Sequence, residues 1–381
     1  MSQNILNTAG IYIHIPFCKT KCNYCDFYSI TDREDDADLY ISALCKEISR
    51  SSLEDYPWLF DTLFIGGGTP SLLTGRKIEK IFTALSHKIS LSNFIEKTIE
   101  INPGEASLEN LTDFKNLGIN RVSMGVQSLD SNLLQFLSRS HSVKDVFSTY
   151  ENVRKIGFEN VNCDLIYSIP GQTKEIWKRD LETIIDLNPE HISAYILTVE
   201  KGTELFQMVK SNMVTMPKNS ESADFFNFTQ NQLNNSGFFP YEISNFCKPK
   251  KECLHNLHYW KIDPYIGFGP SAHSFDGTCR WNNAGSLDHY IQKINGKHSP
   301  ISKAETLTEI QQVNEKIGFG LRLSGGIELI TIPELFKDQL LENVKRNNKK
   351  WSGFIKHNNG RIYLNQKGYA FADAIAVDLL L

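Results

Sequence analysis

The sequence predicts an α/β fold: a partial (β/α)6 barrel followed by a small winged-helix-like domain at the carboxyl end. Short runs rich in β-branched residues alternate with longer helical patterns between residues 11 and 197, as they do in parallel sheets built from βαβ units. The alternation stops after residue 240, where aromatic residues and glycines become frequent. A chain of 381 residues is also longer than one average domain requires.

Six strands are predicted in the first part of the chain. They cover residues 11–15, 62–65, 98–101, 121–125, 161–167 and 191–197. Helical patterns lie between them at residues 39–50, 77–89, 108–116, 142–156 and 174–186. Six such units indicate an open or partial barrel, in which functional residues lie at the carboxyl ends of the strands.

We divide the chain into three parts. Residues 1–240 are assigned to the partial barrel, residues 241–300 to an aromatic and glycine-rich segment that closes over it, and residues 301–381 to the C-terminal domain. The closing segment is expected to be irregular, because residues 241–285 are rich in aromatic residues, Gly and Pro.

The C-terminal domain is predicted to contain helices near residues 305–318 and 333–347. A hairpin-like stretch at 353–364, with the turn signal Asn358-Asn359-Gly360, and a last helix from about residue 369 follow. Helix, helix, hairpin and helix in this order are typical of a winged-helix-like module. Since no basic stripe is present, we expect an interaction surface or a lid rather than a DNA-binding domain.

Composition excludes several classes of protein. Hydrophobic residues make up 41% and charged residues 22% of the chain, as in ordinary globular proteins, and no apolar stretch approaches the roughly 18 residues of a membrane span. The net charge of −4 offers no overall attraction to nucleic acid. The first ten residues lack the basic start and apolar core of a secretory signal. We therefore expect a cytoplasmic protein whose thiols stay reduced.

Three cysteines, Cys18, Cys22 and Cys25, form the most informative motif, C-x3-C-x2-C, directly after the first predicted strand. Three thiolates on a cubane of four irons leave one iron open to a small molecule, whereas most iron–sulfur and zinc sites bring four protein ligands. A zinc site is disfavoured because no other Cys or His lies between Cys25 and Cys45. A disulfide framework is disfavoured because 8 cysteines in 381 residues are sparse. The motif thus predicts an iron–sulfur cluster.

A glycine run, Gly66-Gly67-Gly68-Thr69-Pro70, follows the second predicted strand. Glycines let a ligand approach the backbone closely, although a tight turn without a ligand would use the same residues. A P-loop is excluded, because no Gly-Lys-Ser/Thr follows the run. Its place at the same barrel end as the cysteines favours a ligand.

Polar residues occur near the ends of the next three strands. Glu100 ends the third strand, Gln127 follows the fourth and Asp164 lies within the fifth, and Arg139 lies in a stretch predicted to be helical. A carboxylate can hold a ribose diol, and an arginine can bind a carboxylate through two hydrogen bonds. The alternatives are helix caps or ion pairs for the carboxylates and a solvated surface position for Arg139.

The motifs resemble, in order and spacing, the oxygen-independent coproporphyrinogen III oxidase-like branch of the radical S-adenosylmethionine superfamily. They are IYIHIPFCKTKCNYCDF, IGGGTPSLL, EINP, RVSMGVQS and DLIYSIPGQT, and LNQKGYAFADAIAV resembles the C-terminal domain of that family. The resemblance implies that Cys18, Cys22 and Cys25 ligate a [4Fe–4S] cluster, which can deliver an electron to break a carbon–sulfur bond of S-adenosylmethionine.

The same resemblance implies a set of residues that line the S-adenosylmethionine site. They are Tyr12, Gly67, Gly68, Thr69, Glu100, Gln127, Arg139 and Asp164. Tyr12, Gly68 and Thr69 would lie near the methionine moiety, and Arg139 and Gln127 near other polar groups of the cosubstrate. The two carboxylates would lie near the ribose.

Three features are similar to the heme-chaperone branch rather than to the oxidases proper. Phe27 stands where the oxidases carry a fourth cysteine, the segment before the cysteines is shorter, and residues 255–260 form an HNxxYW string. A neutral imidazole at His255 is a good axial ligand for heme iron, and aromatic residues can pack on a macrocycle. The alternatives are a structural histidine or a zinc site that also uses Cys247, Cys253 and His258.

We therefore expect a heme chaperone in porphyrin metabolism that carries heme as cargo to acceptor proteins. In this family the acceptors are respiratory heme proteins at the membrane, so peripheral membrane association is compatible with the prediction. The alternative is oxidative decarboxylation of coproporphyrinogen III. Transfer RNA modification is disfavoured, since no basic appendage or second cysteine cluster is visible. No residue is assigned a catalytic role, and cleavage or mere binding of S-adenosylmethionine, and a monomer or a homodimer, all stay open.

Overall fold

The computed structural model describes residues 7–381, and six parallel strands that lie side by side in chain order form its centre. They are β1 (Thr8–Ile15), β2 (Leu59–Gly67), β3 (Glu96–Ile101), β4 (Arg121–Gln127), β5 (Val161–Tyr167) and β6 (His191–Ile196). The helices between them are α1 (Ala37–Arg50), α2 (Gly75–Ser86), α3 (Leu108–Asn116), α4 (Ser131–Phe136), α5 (Val143–Ile156) and α6 (Lys174–Asp186). The α/β class and the six predicted parallel strands are confirmed.

Local sequence explains where these helices begin and end. In α5, Ser142 and Asp145 form a capping box at the first turn, and Gly157 ends the helix in the left-handed conformation with φ of 95°. In α2, the buried residues Ile78, Ile81 and Leu85 recur every three or four positions, which places them on the face that packs against the sheet.

Arg139 is not helical, so that prediction is wrong. Helix α4 ends at Phe136, and Ser138 follows with φ of 55°, a left-handed conformation that turns the chain away from the helix axis. This turn directs the chain back toward the carboxyl end of the barrel.

After β6 the chain forms further regular elements, including those in residues 241–300, where the sequence predicted an irregular segment. They include α7 (Glu204–Lys210), α8 (Asn219–Asn235), β7 (Phe239–Pro240), β8 (Asn245–Cys247), α9 (Leu254–Lys261), β9 (Tyr265–Phe268), β10 (His273–Phe275), β11 (Cys279–Asn283), α10 (Leu287–Asn295) and β12 (Ile301–Thr306). Strand β9 pairs with β1 in parallel, and β10, β11 and β12 extend the sheet from there by antiparallel pairing. On the opposite edge, β8 lies antiparallel to β6. Strands of two to six residues among aromatics give too little periodicity to be recognised from the sequence.

The C-terminal part forms a small antiparallel sheet with three helices, in the predicted order of helix, helix, hairpin and helix. Its elements are α11 (Glu309–Gly320), β13 (Ile327–Glu328), α12 (Glu334–Asn348), β14 (Ile355–Asn358), β15 (Arg361–Leu364) and α13 (Ala372–Leu379). The hairpin turns at Asn359 and Gly360, whose φ values of 50° and 71° are those that a two-residue turn requires.

The two faces of the central sheet differ in chemistry. On β1, Ile11, Ile13 and Ile15 are buried and belong to the apolar core beneath the helices, and the alternate residues therefore point into the barrel. The buried polar residues include Glu96 on β3 and Arg121 on β4. The barrel interior is thus polar, but Glu96 and Arg121 stand at the amino ends of β3 and β4, away from the carboxyl ends where the site residues were predicted. Across residues 7–381, the structure contains no helix that combines the length and apolarity needed to cross a bilayer.

Candidate functional site

The three cysteines lie together on the loop that follows β1. The backbone N–H of Cys18 donates to the carbonyl of Ile30 at 2.9 Å, and that of Cys25 donates to the carbonyl of Cys22 at 3.1 Å, which holds the loop in a turn. All three thiols are free and partly exposed. Burial raises the pKa of Cys18, and it raises the pKa of Cys25 to about 11. Bound iron would reverse this effect, because a metal ion deprotonates its thiol ligands.

Hydrogen-bond donors lie beside two of the cysteine sulfurs, as a cluster would require. In the described part of the chain, no three Cys, His, Asp or Glu side chains converge as ligands around one metal ion. A cubane instead spreads its thiolate ligands over separate irons. Two donors already face the sulfurs: Arg139 Nη1 lies 3.5 Å from Cys22 Sγ, and Thr69 Oγ1 lies 3.6 Å from Cys18 Sγ. Donors of this kind stabilise cluster thiolates and tune the cluster potential.

The glycine run packs directly against the cysteine loop. The N–H of Gly68 donates to the carbonyl of Ile15 at 2.7 Å, and the N–H of Thr69 donates to that of Phe17 at 2.7 Å. A Cβ on Gly68 would lie 2.6 Å from the carbonyl oxygen of Phe17 and 3.0 Å from Cys18 Sγ. Gly68 is therefore required for the approach of two backbone segments, a role beyond the ligand contact that the sequence suggested.

We expect Gly68→Ala to displace the cysteine loop and to lower iron incorporation strongly, because the Cβ would meet a backbone oxygen that cannot rotate away. Overpacking of this kind costs about 1–3 kcal/mol. Gly318→Ala is the matched control, since the space around Gly318 in α11 is open. Iron content and chemical unfolding of both variants are the measurements. Normal iron content in Gly68→Ala would contradict the expectation.

Arg139 is brought to the carboxyl end of the barrel although it lies outside the strands. Its Nη2 donates to the carbonyl of Gly125 at 2.9 Å and to Asn102 Oδ1 at 2.6 Å. Its Nε is buried and has no hydrogen-bond partner among residues 7–381. A buried guanidinium N–H without a partner is costly, and the carboxylate of a ligand would satisfy it. Gln127 lies beside it at the end of β4, in a left-handed conformation with φ of 66°.

Glu100 and Asp164 lie deeper, on neighbouring parts of the barrel wall. Glu100 Oε2 accepts from the N–H of Gly67 at 3.0 Å, and Asp164 accepts from Ser123 Oγ at 3.0 Å and from Asn162 Nδ2 at 2.8 Å. Burial, followed by the nearby charge of Asp164, raises the pKa of Glu100 to about 7, and burial also raises that of Asp164. Carboxyl groups so placed can accept hydrogen bonds from the hydroxyls of a ribose.

Tyr12 completes this wall from β1. Burial lowers the pKa of His14 to about 4, so its ring is neutral near pH 7. His14 Nε2 faces the carbonyl of Tyr28 at 2.8 Å and must carry the hydrogen there, so Nδ1 accepts from the hydroxyl of Tyr12 at 3.0 Å. The tautomer of His14 therefore fixes the direction of the Tyr12 hydroxyl.

His255 lies inside the barrel and not at its surface. It is 1% exposed, and its Nδ1 and Nε2 lie 2.9 Å from Thr62 Oγ1 and 2.9 Å from the hydroxyl of Tyr259. The backbone N–H groups of Leu254 and His255, at the start of α9, donate to Glu96 at 3.0 and 3.1 Å. In this conformation both ring nitrogens are engaged, so coordination of an iron would require movement of α9.

The neighbouring histidine of the string, His258, is held between two carboxylates. Its Nε2 lies 2.8 Å from Asp61 and its Nδ1 lies 3.1 Å from Asp263. Both nitrogens thus carry hydrogens toward oxygen, and neither presents a lone pair to a zinc ion together with Cys253. Burial opposes the charge of His258, but the hydrogen bonds with Asp263 and Asp61 outweigh it and raise the pKa to about 9.

We expect His258 to make the stability of the protein pH-dependent. Because its pKa in the folded protein lies near 9, above the ordinary 6.5, it stabilises the fold fully below about pH 6.5. This contribution, of about 3 kcal/mol at most, is lost as the pH rises through about 9. Denaturant unfolding of the wild type and His258→Gln between about pH 6 and pH 10 measures the difference. If the stability of His258→Gln depended on pH as that of the wild type does, the expectation would be contradicted. His289→Gln, at an exposed position, is the control.

Sequence reasoning missed two residues of the site. Asn102 joins Thr69 and Arg139 through hydrogen bonds of 2.9 and 2.6 Å. Tyr24 lies half-buried between Cys22 and Cys25, and its charge interactions include Arg139 and Cys22. Both stand within quoted motifs, EINP and CNYC. The signal for Asn102 was its position directly after a strand, at the edge where the other polar residues were found.

Comparison with known proteins decides the family. The model of the Radical SAM superfamily matches residues 12–184. The chain is 34% identical to the heme chaperone HemW of Bacillus subtilis (strain 168), over 94% of this chain and 95% of that protein. It is 32% identical to the HemW of Lactococcus lactis subsp. lactis (strain IL1403), over 97% of each. The chain belongs to the HemW family. Membership in the radical SAM superfamily implies an iron–sulfur cluster and S-adenosylmethionine.

The fold of this HemW family member is also that of a known structure. It superposes on coproporphyrinogen III oxidase (HemN) from Escherichia coli, described as a radical SAM enzyme, with a TM-score of 0.84, covering 100% of this chain and 91% of the oxidase. Sequence identity is 24%, so the likeness establishes the common fold. The predicted radical SAM barrel with an appended small domain is thereby confirmed.

Proposed function

We propose that this chain is a heme chaperone that binds heme as cargo and passes it to respiratory heme proteins at the membrane. The observation that carries the proposal is the likeness to proteins named heme chaperone over almost the full length of both partners, 94–97% in the two comparisons. A shared barrel alone would not separate a chaperone from an enzyme, because one fold supports many functions. The oxidase shares the fold over 100% of this chain, so the proposal is supported by sequence likeness, which is 34% and 32% to the two heme chaperones and 24% to the oxidase.

The cluster and the cosubstrate are proposed to lie at the carboxyl end of the barrel. Cys18, Cys22 and Cys25 would hold a [4Fe–4S] cluster, which when reduced supplies one electron to bound S-adenosylmethionine. The residues proposed to line the cosubstrate site are Tyr12, Gly67, Gly68, Thr69, Glu100, Gln127, Arg139 and Asp164. The unpaired Nε of Arg139 supports a ligand carboxylate beside it. The pKa of Glu100 is raised by burial, which supports a carboxyl group that would gain hydrogen bonds from a bound ligand.

Phe27 supports cargo handling over porphyrin oxidation. It stands two residues after Cys25, and 69% of its surface is exposed. A phenyl ring offers neither a ligand to iron nor a group that can accept a proton. An exposed ring beside the cysteine loop is instead suited to apolar contact with a flat macrocycle or with an acceptor protein.

His255 is proposed as a heme ligand that is exposed only when α9 moves. Burial lowers its pKa well below the ordinary value, so the imidazole is neutral, which is the form that binds iron. We expect His255→Gln to weaken heme binding by tenfold or more, an effect of about 1.4 kcal/mol, while exposed His289→Gln leaves it unchanged. Heme titration followed by absorbance measures both, and equal affinities would remove His255 from the site.

The deciding experiment compares cargo binding with turnover in one anaerobic preparation with a reconstituted cluster. Heme is added first, and its transfer to an apo heme protein is followed by absorbance. A second portion receives coproporphyrinogen III, S-adenosylmethionine and a strong reductant, and the porphyrins are separated. Heme uptake and transfer without protoporphyrinogen would support the chaperone. Catalytic formation of protoporphyrinogen would overturn it in favour of the oxidase alternative, and failure of both uptake and transfer would also overturn it.

A further inference from the structure

Asn102 stands at the centre of a hydrogen-bonded chain that connects two of the three cysteines. Its Nδ2 donates to Thr69 Oγ1 at 2.9 Å and to Glu105 Oε2 at 3.0 Å, and its Oδ1 accepts from Arg139 Nη2 at 2.6 Å. Thr69 continues to Cys18 at 3.6 Å, and Arg139 continues to Cys22 at 3.5 Å. One side chain from the end of β3 thus contacts both groups that approach the cysteine sulfurs.

The orientation of the Asn102 amide is determined by its partners. An arginine can only donate, so the oxygen of the amide must face Arg139, and a carboxylate can only accept, so the NH2 group must face Glu105. The second hydrogen of this NH2 group then points to Thr69. Because Thr69 Oγ1 accepts from Asn102, its own hydrogen is free to point at Cys18 Sγ.

The position of Arg139 depends on the same residue. Arg139 is half-buried, and the acceptors that hold its Nη2 are Asn102 and the carbonyl of Gly125. This leaves Nη1 beside Cys22 and the unpaired Nε for a ligand. Loss of the Asn102 oxygen would remove the side-chain acceptor of Nη2 and let the half-buried guanidinium change its orientation.

We infer that Asn102 is a positioning residue that couples the cysteine loop to the cosubstrate site, by directing the Thr69 hydroxyl at Cys18 and holding Arg139 between Cys22 and the ligand. The inference rests on the proposed function, since it assigns to this residue a role in the proposed cluster and S-adenosylmethionine site. Within residues 7–381 the hydrogen bonds of the Asn102 side chain go to Thr69, Glu105 and Arg139 and not to a sulfur, so it acts on the cysteines through Thr69 and Arg139.

Two variants separate this role from a merely structural one. Asn102→Ala removes both contacts. Asn102→Asp keeps the oxygen that faces Arg139, but it replaces the NH2 group with an acceptor, so the hydroxyl of Thr69 turns to donate to Asp and leaves Cys18. Asn132→Asp adds the same charge at an exposed position on α4 and is the control.

The readouts are the reduction potential of the cluster, its electron paramagnetic resonance spectrum, and the affinity for S-adenosylmethionine measured by the change of that spectrum. Hydrogen bonds to cluster sulfurs set the potential, so both variants should shift it to more negative values. Asn102→Ala should weaken cosubstrate binding by tenfold or more, and Asn102→Asp by less, because it keeps the contact with Arg139. Thr69→Val should shift the potential, and adding it to Asn102→Ala should shift it little further, since the two share one path to Cys18.

The outcomes distinguish this inference from the proposal on which it rests. A wild-type protein that assembles no cluster overturns the cluster site and the inference together. A wild-type protein with a cluster, whose potential, spectrum and cosubstrate affinity are all unchanged by Asn102→Ala and Asn102→Asp, overturns the inference alone. Equal changes in Asn132→Asp would also overturn it, because they would show a response to charge and not to the hydrogen-bonded chain.

Discussion

Substitution of Cys22 by alanine is expected to abolish cluster assembly while the fold persists. The motif supplies three thiols, and removal of one leaves two, too few to hold a cubane that already has an open iron. The Cys22 thiol is partly exposed and lies on a loop, so its loss should change the free energy of unfolding by less than about 1 kcal/mol. Iron and sulfide content should fall nearly to zero, together with the broad visible absorption.

The matched control is Cys279→Ala, which removes a free, partly exposed thiol from β11, far from the motif in sequence. It should retain full iron content. Circular dichroism and denaturant unfolding show whether each variant is folded. A Cys22→Ala protein that assembles a cluster with undiminished absorption would show that Cys22 is not a ligand. If the cluster serves heme transfer, Cys22→Ala should also fail to load an apo-acceptor.

Replacement of Arg121 by methionine is expected to destabilise the barrel by about 3–5 kcal/mol, the cost of leaving buried charges without their partner. Arg121 lies on β4 and is 1% exposed, and the charges near it include Glu96 and Asp164. It also lowers the pKa of Glu100, which burial and Asp164 raise. Without Arg121, these carboxyl groups would lie in the barrel interior with no nearby cation to offset burial.

The loss of stability in Arg121→Met should increase as the pH rises. Removing Arg121 raises the pKa of Glu100 further above its value of about 7 in the folded wild type. A carboxyl group with a raised pKa binds its proton more tightly in the folded protein, so stability falls as the pH rises through that value. The deficit of Arg121→Met should therefore be larger at about pH 8 than at about pH 6.

Denaturant unfolding of Arg121→Met and Arg121→Lys at the two pH values measures this prediction. The lysine variant retains a cation and should recover part of the stability. Arg76→Met, at an exposed position of α2, should change the free energy of unfolding by no more than about 0.5 kcal/mol. A stable Arg121→Met protein without pH dependence would show that the buried carboxyl groups do not need the arginine.

Elements with a strong local pattern were predictable from the sequence. The bounds of α3, α6 and β5 agree with the prediction residue for residue, because apolar periodicity and capping residues are local properties. The short strands β9, β10 and β11 were not recognised. Their stability comes from pairing with β1 and with each other, which the sequence does not display.

The location of the candidate site was also predictable from the sequence. Parallel strands bring their carboxyl ends to one edge, so the order of βαβ units alone placed the cysteine loop, the glycine run, Glu100 and Asp164 near one another. The motif also supplied the chemistry of the three thiols. These inferences need only the chain order and the direction of each strand.

Tertiary structure alone decided which side chains touch. The turn at Ser138 places Arg139 beside Cys22. The amide of Asn102 bonds both Arg139 and Thr69. Helix α9 places His255 inside the barrel. Each of these contacts joins residues that are far apart in the chain, and each depends on the angle and depth at which an element packs. Periodicity in a sequence records which face of an element is buried, but the partner that covers this face is determined only when the elements assemble.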